Sequence, residues 1–281
     1  MKPHKAIFCF IANPLNKWPI CRKIPILLYH QISGQEASNN KQYLNSIPLS
    51  KFAEQMKYLK QSGYITLSLA EAADYLENGK IPEKAICITF DDGYRDNYER
   101  AFPILLDNGF KANIFLIADY IDKGKWYSRE KRIWSDDNKG EDFQYYELLT
   151  RSQIEEMSRY GISFEAHSIT HPDLTSLPLS SARMEINESK KMIEDLIGET
   201  VKFFAYPYGK YNEMLRDQLI KSGYKGACII GGRAQANGKG SDLYALERIG
   251  IVPQYDIDSF KVMITGYYEK YRWFTRGIGN G

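Results

Sequence analysis

Three short strings hold the side chains able to do chemistry. Thr89-Phe90-Asp91-Asp92-Gly93 places two adjacent carboxylates behind the apolar run Ala85-Ile86-Cys87-Ile88. His167-Ser168-Ile169-Thr170-His171-Pro172 places two imidazoles four residues apart behind Ile162-Ser163-Phe164. Tyr206-Pro207-Tyr208-Gly209 is a turn-forming string. One carboxylate and two histidines make a three-ligand site for a divalent metal, with positions left open for water and substrate. The other aspartate is then free to act as a base beside that water. This is the equipment of a metal-dependent hydrolase.

Each string is weak alone. Asp-Gly is a common turn dipeptide, and an isolated histidine is more often a hydrogen-bonded structural residue than a ligand. Two facts shift the balance. The chain has only four histidines, and two lie in one string. Adjacent carboxylates repel and need a counter-charge, for which a divalent cation is the simplest. Pro172 follows His171 directly and β-branched residues lie between the histidines, so a loop presents them. The Tyr-Pro-Tyr-Gly turn can offer a backbone N–H to an oxyanion.

The elements that must position these strings alternate. Apolar runs predict strands over 24–29, 85–90, 111–117, 162–166, 201–205, 224–230 and 244–251. Amphipathic stretches predict helices over 50–62, 68–77, 97–108, 150–160, 181–197, 212–222 and 258–265. Ser68 with Glu71, and Thr150 with Gln153, are spaced as capping boxes. Gly79, Gly109, Gly161 and Gly198 stand where helices end. Strands alternating with helices imply parallel βαβ units. Seven or eight such units predict a single α/β domain, a distorted TIM-like (β/α) barrel of about seven parallel strands; a doubly wound open sheet is the competing architecture. Both put active sites at the carboxyl ends of strands, where Asp91, His167 and Tyr208 fall.

Taken together, the order and spacing of the strings resemble the polysaccharide deacetylase (NodB-homology) family. The resemblance spans about 24–252, most of the chain. In that family the first aspartate of the pair is the general base and the second a metal ligand, which implies Asp91 and Asp92 here. The two histidines imply His167 and His171 as the remaining ligands, with Zn²⁺ as the expected metal. The tyrosine after the proline implies Tyr208 as the oxyanion donor. Many members carry an arginine two residues before that proline; here the position is Ala205, and Arg248 is the candidate replacement, a surface salt bridge being its alternative. Many members also carry a late Leu-x-His general acid, yet no histidine follows His171. The Tyr29-His30 pair near the start resembles the permuted poly-β-1,6-N-acetylglucosamine deacetylases, which implies His30 as the acid. Tyr206, Pro207 and Trp126 are expected to meet substrate.

The implied activity is removal of N-acetyl groups from a polysaccharide containing N-acetylglucosamine. Deacetylation or deformylation of another amidated sugar, and glycan binding without catalysis, are the alternatives. Retention of Asp91 argues against a pure binder, which needs no free carboxylate beside a metal. A structural zinc protein is disfavoured because no cysteine lies in any string.

Bulk properties narrow the partners. A net charge of +2, with Lys and Arg spread along the chain, gives nucleic-acid binding no electrostatic support. No segment approaches the run of about 18 apolar residues that spans a bilayer. At 281 residues, one catalytic domain over 23–281 with an N-terminal extension over 1–22 is expected. The short apolar run at 6–12 is at the lower limit for a signal sequence and no small-x-small site follows it. Cys87 and Cys228 lie in strand-like runs and read as reduced core thiols. The polar, aromatic stretch 119–146, with Trp126 and Trp134, reads as a functional insertion, and 231–241 as a loop.

Overall fold

The computed structural model describes residues 22–34, 45–123, 147–231 and 236–265. The apolar run at 6–12, Trp126 and Trp134 lie outside the described residues. The chain runs β1 (Ile26–Tyr29), β2 (Gln31–Ser33), β3 (Ser46–Pro48), α1 (Leu49–Gln61), β4 (Ile65–Thr66), α2 (Leu69–Asn78), β5 (Ala85–Phe90), α3 (Phe102–Asn108) and β6 (Ala112–Leu116). It continues through α4 (Arg151–Ser158), β7 (Ile162–Ala166), α5 (Leu179–Ile197), β8 (Phe203–Ala205), α6 (Glu213–Lys221), β9 (Gly226–Ile230), β10 (Leu246–Gly250) and α7 (Ile257–Met263).

β1, β5 and β6 are buried along their whole length, as strands of a parallel sheet covered by helices must be. Seven parallel strands follow the order β1, β10, β9, β8, β7, β6, β5, and β5 pairs back to β1. The sheet is therefore closed, a TIM-like α/β barrel, and the open-sheet alternative is excluded. β4 adds a two-residue pairing at the start of β5. The short β2–β3 pair, which the sequence pattern did not announce, forms a separate sheet.

Alternation along each strand divides the core. Inward-facing Ile26, Cys87, Phe115, Phe203, Ala205, Cys228 and Leu246 belong to one cluster. Outward-facing Leu27, Ile88, Ile114, Phe164 and Phe204 join Phe52, Leu105, Ile186 and Leu219 of the helices in another. The inner cluster also takes in Leu69, Ala72, Ala73 and Leu76, so α2 closes the amino-terminal end of the barrel as a floor. α2 has the expected capping box, Ser68 with Glu71, and ends on Gly79 in the left-handed conformation.

One predicted helix differs. The stretch 97–108 starts as a π turn, Asn97–Ala101, before α3. Pro103 has no N–H to give to the carbonyl four residues earlier. The turn widens, and the Phe102 amide reaches the Asn97 carbonyl.

Candidate active site

Inward parity and position at strand ends bring the chemical residues to the carboxyl mouth of the barrel. Asp91 follows β5, His167 follows β7, and Arg248 lies on β10; all three are almost wholly buried. Asp92 and His171 reach the same point by strained turns. Asp92, Ser168, His171 and Tyr208 all have positive φ (73°, 64°, 60° and 61°). Among the described residues only Lys84 and Asp122 share that trait without being glycine. Such strain persists only where the surroundings enforce it, and it clusters at functional sites.

The glycines of the two motif turns are sterically required. A Cβ on Gly93 (φ 71°) would lie 2.7 Å from Leu116 Cδ2, and one on Gly209 (φ 67°) would lie 2.8 Å from the Ile230 amide nitrogen.

Asp92 Oδ1 lies 3.5 Å from His167 Nε2 and 3.7 Å from His171 Nε2. The three ligating atoms are all within 4.8 Å of one another. With metal–ligand bonds of about 2.0–2.2 Å, two tetrahedral ligands on zinc stand about 3.4 Å apart, so the set fits such an ion. The tautomer fits as well. His167 Nδ1 is 2.7 Å from the Ala205 carbonyl and must donate to it, which leaves Nε2 with its lone pair facing Asp92. Burial, outweighing the Asp91 charge, pushes His167 down to about 3, so its ring is neutral.

Asp91 has a different partner. Its two oxygens accept from Arg248 Nη1 and Nη2 at 2.6 and 2.8 Å, a bidentate pair. Arg248 is fully buried, donates Nε–H to the Ile229 carbonyl at 3.2 Å, and sits 5.3 Å from the centroid of the Phe115 ring below it. Burial alone would raise the Asp91 carboxyl; the Arg248 guanidinium holds it down at about 2. Asp91 is thus an ionised carboxylate 3.9 Å from His167 Nε2, held beside the cluster and not inside it. The surface-salt-bridge alternative for Arg248 is excluded by its burial.

His30 follows β1, which lies between β10 and β5, and it is near enough for its charge to act on Asp91. The Tyr208 ring packs edge-on against His171 at 4.7 Å, and Lys210 bridges to Asp173 at 2.6 Å, tying the two loops. Pro207 is buried and starts the turn. Tyr206 is placed otherwise than expected. It has the outward parity of Phe204, exposes none of its surface, donates to the Tyr244 carbonyl at 3.2 Å and stacks on Tyr211 at 5.1 Å. It supports Tyr211 and presents no surface to the mouth. Trp126 lies outside the described residues.

Sequence reasoning missed Glu185. From the buried face of α5 its Oε2 accepts the Ile169 and Thr170 amides at 2.8 and 3.0 Å, and its Oε1 accepts the Thr170 hydroxyl at 2.8 Å. It ties down the loop between the two histidines. The signal was a carboxylate within the buried stripe Ala182, Ile186, Ile193 and Leu196, where a charge needs partners.

The closed barrel, with a carboxylate–histidine cluster and a guanidinium-paired carboxylate at its mouth, defines a hydrolase-type centre. A family profile described as polysaccharide deacetylase matches residues 78–227. A Bacillus subtilis (strain 168) protein, YxkH, assigned in its name to the polysaccharide deacetylases, is 34% identical over 232 residues, 82% of this chain and 72% of that one. The poly-β-1,6-N-acetyl-D-glucosamine N-deacetylase of Staphylococcus aureus (strain MRSA252) is 27% identical over 217 residues, 71% of this chain and 69% of that one. The Streptococcus pyogenes deacetylase PplD, solved in complex with acetate, superposes with a TM-score of 0.72 at 27% identity, over 86% of this chain and 98% of that one. This chain belongs to the polysaccharide deacetylase family, and it is an amide hydrolase.

Proposed function

We propose that this chain hydrolyses the N-acetyl group of N-acetylglucosamine units in a polysaccharide, with Asp92, His167 and His171 holding a divalent metal, zinc foremost. The observation that carries the reading is Asp91: a carboxylate kept ionised by Arg248, buried, and adjacent to the cluster. Zinc in such a site polarises a carbonyl and lowers the pKa of a water.

The chain's own groups do the rest. Asp91 accepts the proton of the attacking water, and Arg248 keeps its oxygens aimed and charged. The Tyr208 amide, fixed by a left-handed backbone and the ring contact to His171, donates to the developing oxyanion. His30 donates a proton to the leaving amine, so that a neutral amine departs. The Staphylococcus aureus relative's name supports a β-1,6-linked polymer as the first substrate to try.

The test is acetate release from β-1,6- and β-1,4-linked N-acetylglucosamine oligomers, using protein stripped of metal and reloaded with Zn²⁺. Metal-dependent release is expected, with the β-1,6 oligomer preferred. Preference for β-1,4 would move the substrate toward chitin-like or peptidoglycan-like chains. No release from either would shift the reading to another amidated sugar or to glycan binding.

A further inference from the structure

His30 stands where the chain leaves the barrel. The Asp91 amide still donates to the Tyr29 carbonyl at 3.0 Å. Beyond that bond the backbone enters β2, which pairs with β3 and with no barrel strand. The sheet no longer supports His30, and one short segment does so instead. Asn97 Nδ2 donates to the His30 carbonyl at 2.8 Å and to Asp96 Oδ1 at 2.9 Å. Asp96 Oδ1 accepts the Ile32 amide at 3.1 Å, and Arg100 Nη1 donates to the Ile32 carbonyl at 2.9 Å. Asn97 is fully buried. It opens the π turn, a rare backbone form found often at functional sites. The Asn97 amide also donates to the Tyr94 carbonyl at 3.0 Å, in the turn that leaves the aspartate pair.

We infer that Asn97, seated by Asp96, is a positioning residue for His30. Asp91, Asp92 and the side chains that grip the backbone at His30 and Ile32 all belong to residues 91–100, so one piece of chain sets the distance from the proton donor to the base and the metal cluster. The inference rests on the reading of His30 as proton donor to the leaving amine. Displacing that donor by about 1 Å is enough to cost about 100-fold in rate.

The test compares two substrates. Amide hydrolysis of an N-acetylglucosamine oligomer needs a proton on the leaving amine. Hydrolysis of p-nitrophenyl acetate does not, because the phenolate departs as an anion. Asn97→Asp keeps the shape and removes the donor; Arg100→Met, at a half-buried site, is the variant safer for folding. Both are assayed in zinc-loaded protein beside His30→Ala. Asn97→Asp is expected to lower kcat on the oligomer about 10- to 100-fold. KM, bound zinc and aryl acetate turnover should stay within about two- to three-fold, and Arg100→Met should show the same split at about two- to five-fold. If His30→Ala shows the split and the Asn97 and Arg100 variants lose both activities equally, or neither, the positioning role is overturned. If His30→Ala itself shows no split, the proton-donor reading fails and takes this inference with it.

Discussion

At the floor of the barrel, Leu69, Ala72, Ala73 and Leu76 meet Ile26, Ala85, Cys87 and Leu246 in an apolar layer. α2 there has a capping box at one end and a left-handed glycine at the other. At the mouth, four non-glycine residues hold left-handed backbone, and two carboxylates, one imidazole and a guanidinium are buried within reach of one another, with the half-buried His171 imidazole beside them. Local preference and global fold agree at the floor. At the mouth they conflict, and hydrogen bonds accepted by Glu185 and the Ala205 carbonyl and donated by Arg248 hold the conflict in place. The stability of the floor is what lets the mouth keep strained turns and desolvated charges.

The largest effects should come from cutting the mouth at its charges. Asp91→Asn is expected to lower kcat about 10²- to 10⁴-fold, measured as acetate release, while zinc stays bound. Arg248→Met is the companion variant. Asp91 is depressed in the fold, so its stabilisation is complete above the ordinary carboxylate value of 3.8 and lost as pH falls toward about 2. Without Arg248, burial dominates and raises the Asp91 carboxyl. The acid limb of the pH–rate profile should then move up, and denaturant unfolding at pH 7 should show a loss of about 3–5 kcal/mol from the orphaned charge. An unmoved acid limb would mean that Arg248 does not set the charge of Asp91.

A bracing contact at the mouth should cost less. Glu185→Gln keeps one acceptor oxygen and removes the other. Zinc affinity, followed by competitive chelation, should fall about 10- to 100-fold. The smallest effect belongs to the floor. Ser68→Ala removes a helix cap and should cost about 1 kcal/mol in unfolding, with kcat and zinc affinity unchanged. A change in kcat from Ser68→Ala would break the separation between the two ends.

Legibility followed the same division. The strands, the helix ends at Gly79, Gly109 and Gly198, and both capping boxes could be read because local signals sufficed. The histidine string could be read because the chain has only four histidines, and the other two because their order and spacing go with it. What stayed hidden depends on contacts distant in sequence. Arg248 could be named as a candidate, but it lies 157 positions from Asp91, and only ring closure shows that it faces inward to it. Asn97 gave no signal, since one continuous helix over 97–108 was the local reading, and the π turn ahead of Pro103 is what the structure adds. Tyr206 is placed otherwise than expected although its parity was legible: it falls two residues after Phe204, on the face that packs under the helices.

The central claim is that Asp92, His167 and His171 hold the metal while Asp91 stays free to act as base. It is tested most directly by titrating zinc into metal-free wild type, Asp91→Asn and His167→Ala, with acetate release followed on the same samples. The account predicts one zinc per wild-type chain with turnover rising in step, full zinc binding without turnover in Asp91→Asn, and neither in His167→Ala. Zinc-independent turnover in the wild type, or loss of zinc from Asp91→Asn, would contradict it.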